Sequence, residues 1–490
     1  MSKDVDQPLL DVLHSGYITQ GKKVEEFESA LQKWFDYPYI LTLNSATSGL
    51  TLALRMLNLD YGDEVLCTPL TCTATNWAVL ANYLSIKWVD VDPKTCNMDL
   101  DDLEKKITVD TKAILIVHWG GSPCDLDRLN DISQRHNLPV IEDCAHSFGA
   151  EYKGKKIGTS GNYCVFSLQA IKHLTTGDGG LIFLPGKKEY DRAKLLRWYG
   201  IDRENKDRKD FRLENDVPQW GYKFHMNDIN ATIGLANLPH IQKLLEKARD
   251  NVSYYKEHLS SMPGVELLEE TPSSKSVYWI FTIKVSNKTT FIPFMNQSNI
   301  MVSQVHNRND YHSCVNIFKR DLPQLDSLEK HIIAIPCGWW VTKDDRAHVV
   351  QTIREWSNTY YKISLLQEED MEEYVQLINY SEEEASNLLE KYLRITSSPQ
   401  SVYVLRNNDK IVATGKLFVE PKLYNSLGHI EDVVVDEEYQ GYGYGKVLVD
   451  FLLKEARNAK CYKVVLNCTE KNVKFYEKCT MHKEGVQMVL

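Results

Sequence analysis

The chain has 490 residues, of which 43% are hydrophobic and 25% charged, with a formal net charge of −10 at pH 7. The composition is typical of a soluble globular protein of about three lobes, and it argues against nucleic acid or an anionic membrane as the main partner. No apolar run approaches the length of a membrane span. The eleven cysteines lack paired ligand spacing, so we expect reduced thiols in the cytoplasm and no metal site.

Short apolar strands alternate with helices in the first part of the chain, beginning with an amphipathic helix at 23–35. The predicted strands are 39–44, 63–68, 113–119, 139–143, 163–168 and 179–185. Near-continuous apolar strands separated by helices indicate a parallel sheet that is covered on both faces. Functional residues are then expected at the carboxyl ends of the strands and in the loops beyond them.

A smaller lobe is predicted to follow the sheet. A long helix is expected around 228–258, and the strand pattern at 276–285 opens a small α/β lobe. The helical pattern at 342–356 closes that lobe.

The pattern then restarts as a separate C-terminal domain. It contains a hairpin over 401–420, and a strand at 429–435 that leads through a glycine-rich turn into a helix. The expected domains are 1–250, 251–357 and 358–490. Because no Gly/Ser-rich or Pro-rich linker precedes the last domain, we expect it to pack closely against the rest of the chain.

The stretch FSLQAIKHLTTGDGG places Lys172 among apolar residues after a predicted strand. Asp143 ends another strand, and NSATSGLTLAL (44–54) leads from a strand end into a helix. A lysine amine can form a Schiff base with pyridoxal phosphate, a carboxylate can keep the pyridine nitrogen protonated, and helix N-terminal amides can surround the phosphate. An apolar setting should also lower the pKa of Lys172. Taken singly, these features could be a surface lysine, a helix cap and an ordinary turn.

The order of these motifs resembles that of the DegT/StrS sugar aminotransferases, which are pyridoxal-phosphate enzymes of fold type I. The similar segments are SGYITQGKKVEEFE, NSATSGLTLAL, VHWGGSPCDLDRL, IEDCAHSFGA, FSLQAIKHLTTGDGG, LRWYGID and GYKFHMNDINATIGLANL. The resemblance covers residues 8–357. It implies a large cofactor-binding domain with a mostly parallel sheet over 1–250 and a small α/β lobe over 251–357.

The resemblance also implies roles for individual residues. Lys172 would carry the cofactor and act as acid and base, Asp143 would pair with the pyridine nitrogen, and His146 would lie near the 3-hydroxyl. The other expected cofactor contacts are Ala46, Thr47, Cys72, Ser167 and Lys223. Family members that dehydrate sugars have histidine in place of the lysine, so Lys172 favours transamination.

Three of these residues depart from the family pattern. Ala46 replaces a glycine, so its turn must avoid positive φ. Cys72 stands where many members stack an aromatic ring on the cofactor. Lys223 stands where the partner subunit often supplies an asparagine to the phosphate, and a lysine there can still bind phosphate.

The reaction that the resemblance implies moves the amino group of glutamate to a nucleotide-linked 4-keto-6-deoxyhexose. The product would be the 4-amino sugar, with a 3-keto substrate as the alternative. Because the active sites of the family form between two subunits, a homodimer is expected.

The glycine-rich turn QGYGYG precedes the last long helix of the C-terminal domain. Such a turn lets helix N-terminal amides hold a pyrophosphate. A dinucleotide-binding loop would require the pattern G-x-G-x-x-G instead. A glycine-rich turn that binds no ligand is the other alternative. The domain resembles the GNAT acetyltransferases, especially glucosamine-6-phosphate N-acetyltransferases. This likeness rests on 412–435, 438–453 and 461–479.

The GNAT resemblance implies acetyl-CoA as cosubstrate. The expected contacts to it are Val434, Gln440, Gly441, Tyr442, Gly443, Tyr444, Gly445 and Asn472. The Val434 amide would polarise the thioester carbonyl, Tyr476 would protonate the departing thiolate, and Glu431 and Asp432 would face the acceptor amine. For Tyr476, packing within its helix is the alternative role. Thr480 stands where the family usually has glycine. The C-terminal segment often lines the acceptor pocket in this family, and because GVQMVL is short the resemblance does not identify the acceptor.

One domain is expected to make an amine on a sugar and the other to acylate such an amine. The hypothesis is a bifunctional enzyme that yields a nucleotide-linked acetamido-deoxysugar. In the first alternative, the C-terminal domain acetylates glucosamine 6-phosphate in parallel. In the second, the protein is a non-catalytic regulator or scaffold that binds both cofactors.

Overall fold

The computed structural model describes residues 2–203, 216–378, 388–396 and 400–484. The chain divides into two compact units. The first contains 1–253, 268–282 and 303–343, and the second contains 254–267, 283–302 and 344–490. Within the described residues, no helix has both the length and the apolar character needed to cross a membrane.

The first unit is built on a seven-stranded sheet. Its strands are β1 (Ile40–Leu43), β2 (Glu64–Cys67), β3 (Ser85–Trp88), β4 (Thr111–Val117), β5 (Val140–Asp143), β8 (Tyr163–Ser167) and β9 (Gly180–Phe183), in the order β1-β9-β8-β5-β4-β2-β3. Strands β3, β2, β4, β5 and β8 are parallel, whereas β9 is antiparallel to β8 and β1. The mostly parallel sheet predicted for fold type I is confirmed.

Helices cover this sheet on both faces. They are α1 (Asp6–His14), α2 (Lys22–Phe35), α3 (Ala46–Met56), α4 (Thr73–Ala81), α5 (Leu100–Lys106), α6 (Leu126–His136), α7 (Lys187–Leu196), α8 (Asp228–Asn237) and α9 (Ile241–Leu259), the last of which continues beyond this unit. Neighbouring strand residues point to opposite faces, and Val140 and Ile141 accordingly belong to two different apolar clusters. The sheet therefore has a buried core on each side.

The single long helix predicted around 228–258 is wrong, because α8 and α9 are separated by a 3-10 turn at Leu238–His240. Pro239 lies in that turn. A proline has no amide hydrogen to donate and its ring clashes with the preceding helical turn, so a continuous helix is disfavoured there.

The remaining short elements of the first unit lie outside the main sheet. They are β6 (Glu151–Tyr152), β7 (Lys155–Lys156), β11 (Ser274–Lys275), α11 (Pro323–Leu328) and β13 (Ile332–Ile335). Strand β6 is the middle strand of a small sheet with β7 and β11.

The second unit combines a small lobe with the C-terminal domain. The elements of the lobe are β10 (Val265–Leu267), β12 (Phe281–Val285), α10 (Lys288–Gln297) and α12 (Lys343–Tyr360), and β10 pairs antiparallel with β12. The elements that follow are β14 (Tyr361–Leu365), α13 (Met371–Leu377), α14 (Leu388–Thr396), β15 (Gln400–Asn407), β16 (Lys410–Pro421), β17 (Ser426–Val435), α15 (Tyr444–Asn458), β18 (Cys461–Leu466) and α16 (Val473–Lys478). Strands β14 to β18 form one five-stranded sheet in chain order.

Candidate active sites

Asp143 is the last residue of β5, in the middle of the large sheet, and it is buried. Its Oδ1 accepts a hydrogen bond from the Ala145 amide at 3.0 Å, and its Oδ2 accepts one from the Thr75 hydroxyl at 2.7 Å. Burial raises the pKa of Asp143, while the two hydrogen bonds and the positive charge of Lys172 oppose that rise. The carboxylate is therefore fixed in orientation at the carboxyl end of its strand.

Lys172 follows β8, the strand next to β5, and its amine lies 3.6 Å from the centre of the Trp279 ring. Burial lowers the pKa of Lys172 to about 8, against the opposing effects of Asp143 and Cys72. A lysine with an ordinary pKa is almost wholly protonated near neutral pH, but this one has a usable neutral fraction. The amine is thus prepared to act as a nucleophile.

Two histidines and Trp279 stack beside the lysine. The rings of His146 and Trp279 are 3.9 Å apart and nearly parallel, and His306 lies 5.7 Å from His146. Burial lowers the pKa of His146 well below its usual value and that of His306 to about 4, and the charge of Lys172 lowers both further. Both imidazoles are therefore neutral near pH 7.

The His146 Nδ1 and the His306 Nε2 atoms are buried, and neither has a hydrogen-bond partner among the described residues. Buried polar atoms normally have partners. This pair therefore indicates a polar ligand, and the 3-hydroxyl of pyridoxal phosphate is of the required kind. With Lys172 and Asp143 at the same place, the residues fit that cofactor.

The start of α3 is the segment that was expected to bind the phosphate. Ala46 and Thr47 are its first two residues, and the Ser45 side chain caps the helix by accepting a hydrogen bond from the Ser48 amide at 3.1 Å. Ala46 is helical, so its turn needs no positive φ. Unpaired amides at a helix N-terminus attract phosphate.

Gly180 allows β9 to approach this helix start closely. A Cβ at Gly180 would lie 2.5 Å from the Ser45 carbonyl and 2.6 Å from the Ala46 nitrogen, so a larger residue would push the strand away. Ser167 is paired with Gly180 across β8 and β9 and is buried. The structure therefore brings Ser167, Ala46 and Thr47 together.

The other two predicted cofactor contacts lie at the margin of this group. Cys72 immediately precedes α4, and its effect on the pKa of Lys172 indicates that it is close to the amine. Lys223 is exposed, and its main-chain carbonyl accepts a hydrogen bond from the Asn44 side chain at 3.3 Å. Its backbone thus borders the phosphate segment of its own chain.

Sequence reasoning missed Thr75, Trp279 and His306. Trp279 is held in place because its indole Nε1 donates a hydrogen bond to the Ile171 carbonyl at 3.1 Å. Thr75 lies close after Cys72 in the segment PLTCTATN, so its neighbourhood was available from the sequence. Trp279 and His306 lie far from every motif that identified the site, and no local sequence pattern signalled them.

The C-terminal domain has its own candidate site where β17 and β18 stop pairing. These parallel strands pair from Ser426 to Ile430 of β17, with a register shift after Ser426, and β17 then continues to Val435 paired with β16 alone. Asp432 has a φ of 49°, at the point where the pairing of β17 with β16 shifts register. This bulge precedes Val434, which lies opposite Thr414.

The glycine-rich turn begins directly after this strand and its short 3-10 turn. Gly441 and Gly443 have φ values of 85° and 78°, which favour glycine, and α15 begins at Tyr444. The Gln440 side chain donates a hydrogen bond to the Val435 carbonyl at 3.1 Å. The turn is therefore fixed to the end of β17, with helix N-terminal amides beside it that suit a pyrophosphate.

The remaining residues of the turn connect it to the domain core. A Cβ at Gly445 would lie 3.1 Å from the Phe475 ring, so α16 packs closely on the start of α15. Tyr444 is buried, and its ring lies 5.5 Å from that of Tyr361. Tyr442 is partly buried.

The predicted catalytic residues of the second site lie on α16 and at the bulge. Tyr476 is on α16 beside Phe475, and burial raises its pKa. Asn472 immediately precedes that helix. Glu431 and Asp432 are both exposed, and Asp432 forms an ion pair with Lys416. Residues 485–490, where the short C-terminus was noted, lie outside the described residues.

Comparison with known proteins identifies two families in this chain. The family model of the DegT/DnrJ/EryC1/StrS aminotransferases matches residues 1–354, and that of the acetyltransferase (GNAT) family matches residues 351–481. Aminotransferases of this family use pyridoxal phosphate, and GNAT domains use acetyl-CoA.

Solved structures and curated relatives cover the aminotransferase part. AtS13 from Actinomadura melliaura is 48% identical, with a TM-score of 0.70 over 72% of this chain and 96% of that one. The sugar aminotransferase CalS13 from Micromonospora echinospora is 43% identical, with a TM-score of 0.70 over 72% of this chain and 97% of that one. The UDP-4-amino-4-deoxy-L-arabinose–oxoglutarate aminotransferase of Shewanella sediminis is 36% identical over 261 residues, which are 52% of this chain and 66% of the relative. This chain therefore belongs to the DegT/DnrJ/EryC1/StrS aminotransferase family and carries a C-terminal GNAT acetyltransferase domain.

Proposed function

We propose that this protein is a bifunctional enzyme that first aminates a nucleotide-linked 4-keto-6-deoxyhexose and then acetylates the new amine. The observation that carries the proposal is the partly buried Lys172 beside the buried Asp143 and His146 in a chain that also has a GNAT domain. An amine on a sugar is the product of the first chemistry and the acceptor of the second.

In the first site, each residue has a role that its surroundings support. Pyridoxal phosphate supplies an electron sink once it is bound. Lys172 attaches it and, when released, moves a proton to and from the substrate carbon, for which a pKa of about 8 is suitable. Asp143 keeps the pyridine nitrogen protonated, and His146 donates to or accepts from the 3-hydroxyl.

The phosphate is held by the amides of Ala46 and Thr47 and by the Ser167 hydroxyl. Support comes from the position of Ala46 and Thr47 at the start of α3 and from the close approach that Gly180 permits. We further propose that the protein is a cytoplasmic homodimer, in which Lys223 of the partner subunit contacts the same phosphate and Cys72 packs beside the ring. The eleven cysteines are free thiols, as a reducing compartment requires.

The choice of substrates rests on similarity. The name of the Shewanella relative gives a UDP-linked 4-amino sugar and oxoglutarate as the two reactants of its aminotransferase reaction. Glutamate is the amino form of oxoglutarate, so we infer glutamate as the donor here and C4 as the carbon that receives nitrogen.

In the second site, the Gln440–Gly445 turn binds the pyrophosphate of acetyl-CoA, and the Val434 amide polarises the thioester carbonyl. Tyr476 protonates the thiolate that leaves. A raised pKa keeps its hydroxyl protonated and therefore able to donate. Of the two acids at the bulge, Glu431 is the better candidate to face the acceptor amine, because the charge of Asp432 is already balanced by Lys416.

The test is product analysis with purified full-length protein. It is incubated with pyridoxal phosphate, glutamate, acetyl-CoA and a panel of UDP-, dTDP- and GDP-linked 4-keto-6-deoxyhexoses, and the sugars are then weighed by mass spectrometry. We expect one nucleotide series to gain first an amino and then an acetyl group. The proposal is refuted if the amino sugar forms and never gains acetyl.

Two controls assign each step to its site. Lys172→Ala should abolish the amino product and leave acetylation of a chemically supplied 4-amino sugar intact. Tyr476→Phe should stop the sequence at the amino sugar. Glucosamine 6-phosphate is included as a competing acceptor, and a preference for it would refute the sequential order.

A further inference from the structure

Within the second unit, strand β10 of the small lobe lies directly against the glycine-rich turn of the acetyltransferase domain. A Cβ at Gly443 would be 3.3 Å from the Val265 carbonyl oxygen, and a Cβ at Gly441 would be 3.5 Å from the Glu266 carboxylate Oε2. The Lys446 amine of α15 hydrogen-bonds the Ser261 hydroxyl at 2.8 Å. The turn that is assigned to coenzyme A therefore has a carboxylate beside it that comes from another lobe.

Buried contacts keep the strand and the turn together. Tyr361 and Tyr444 are both buried and in ring contact, and the Tyr361 hydroxyl is 2.5 Å from that of Ser286. A Cβ at Gly264 would lie 2.5 Å from the Tyr361 ring, so the chain before β10 is packed tightly on the first strand of the domain. Glu266 is thus held near the turn by packing that does not depend on its own side chain.

Two further observations describe the charge at this point. Glu266 Oε1 pairs with the Lys284 amine at 2.7 Å, and the side chains are 27% and 12% exposed. The pKa of Tyr442, in the middle of the turn, is raised to about 12 by burial and also by the charge of Glu266. The negative charge of Glu266 therefore reaches the turn, even though Lys284 partly balances it.

A pyrophosphate held by the amides of the turn must lie within a few ångströms of Gly441. Like charges at such distances repel by an amount that depends strongly on the local dielectric, and the partial burial of Glu266 reduces screening by water. We propose that Glu266 lowers the affinity of the acetyltransferase domain for coenzyme A by opposing the pyrophosphate, and that Lys284 sets how strongly it does so. This inference rests on the proposed assignment of the Gln440–Gly445 turn as the coenzyme A site.

The consequence is a link between the two catalysts. Glu266 and Lys284 belong to the part of the chain that matches the aminotransferase family, yet they tune a ligand of the acetyltransferase. A weakened hold on coenzyme A favours release of the product thiol, which must leave before the next acetyl-CoA can bind.

The test is calorimetric titration of the full-length protein, loaded with pyridoxal phosphate, with coenzyme A. Glu266→Gln should bind about three- to tenfold more tightly than the wild type, because one opposing charge is removed. Lys284→Gln should bind more weakly by a similar factor. The matched control is Glu257→Gln, which removes an exposed carboxylate of α9 in the same unit and should leave the affinity unchanged.

A second probe separates the pyrophosphate from the rest of the ligand. Acetyl-pantetheine carries the reactive thioester and lacks the pyrophosphate, so its KM should be the same for the wild type and Glu266→Gln. A folding defect would weaken both variants, whereas the proposal requires opposite shifts for Glu266→Gln and Lys284→Gln.

The outcomes are distinguishable. The proposal is overturned if Glu266→Gln binds coenzyme A as tightly as the wild type or more weakly. It is also overturned if Glu257→Gln gains the same affinity for coenzyme A, or if Glu266→Gln shows the same gain with acetyl-pantetheine. If the wild type binds acetyl-pantetheine and coenzyme A equally well, the assignment of the turn to the pyrophosphate fails as well.

Discussion

Thr75 should control how firmly the aminotransferase site holds its cofactor, although it was not among the residues predicted from the sequence. Its hydroxyl donates to Asp143 at 2.7 Å and lies 2.8 Å from the Thr71 hydroxyl, which must therefore be the donor in that second contact. Both threonines are buried. Valine has nearly the shape of threonine, so Thr75→Val removes the hydrogen bond and little of the packing.

The expected magnitude follows from the surroundings of Asp143. A hydrogen bond to a charged group contributes about 1.5–3 kcal/mol, which corresponds to about one to two pKa units of Asp143. Burial already raises this pKa, and Thr75 is the first of the groups that oppose the rise. In Thr75→Val a larger fraction of Asp143 is therefore protonated and unable to pair with a protonated pyridine, and we expect pyridoxal phosphate to bind about 10- to 100-fold more weakly.

The assay is to remove the cofactor, add it back and follow the visible absorbance of the bound form. The matched control is Thr71→Val, which leaves the bond to Asp143 in place and should weaken binding by less than about threefold. Because the pKa of Asp143 rises in Thr75→Val, its loss of affinity on acidification should also begin at a higher pH than in the wild type. A folded Thr75→Val protein with wild-type affinity and an unchanged pH profile would refute the reasoning.

Three further predictions follow from single residues. Lys172→Ala should leave no cofactor fixed by borohydride. In the wild type, the rate of cofactor capture should rise with pH and level off above about pH 8, because the neutral amine is the nucleophile. A rate that still rises towards pH 10.5 would contradict the lowered pKa of Lys172. Tyr476→Phe should lower the rate of acetyl transfer about 100-fold or more, measured by thiol release, and leave transamination unchanged, whereas a wild-type rate would favour a packing role. Thr480 has a φ of 63°, a left-handed conformation that glycine adopts without strain. Thr480→Gly should therefore raise the free energy of unfolding by about 1–2 kcal/mol, measured by denaturant titration. An equal gain in Thr480→Ala would show that the effect does not come from the backbone conformation.

Much of the fold was predictable because its signals are local. Apolar runs marked the strands, and Lys172 and Asp143 were identified from their positions after and at the end of predicted strands and from the order of the motifs around them. The turn before the last long helix could be predicted because the positive φ values of Gly441 and Gly443 favour glycine, which is visible in the sequence. The break at Pro239 was also signalled by the sequence, and the prediction of one long helix did not take it into account.

The rest depends on contacts between distant segments. Trp279 and His306 reach Lys172 from parts of the chain that follow the sheet, and no spacing rule connects them to it. The antiparallel direction of β9 could not be predicted either, because an apolar run looks the same in a parallel and in an antiparallel strand. Partners of this kind are set by tertiary packing, so they become visible only when the chain is folded.

In the proposed reaction sequence, the two chemistries also belong together on energetic grounds. Transamination exchanges one amine and one ketone for another such pair, so its driving force is small and the amino sugar can be converted back. Acetyl transfer exchanges a thioester for a more stable amide and removes the amine from that equilibrium, because an amide nitrogen no longer condenses with the cofactor. An acetyltransferase with modest affinity for coenzyme A, as inferred from Glu266, suits this arrangement: rapid release of the thiol lets each new amine meet a fresh acetyl donor before the first reaction reverses.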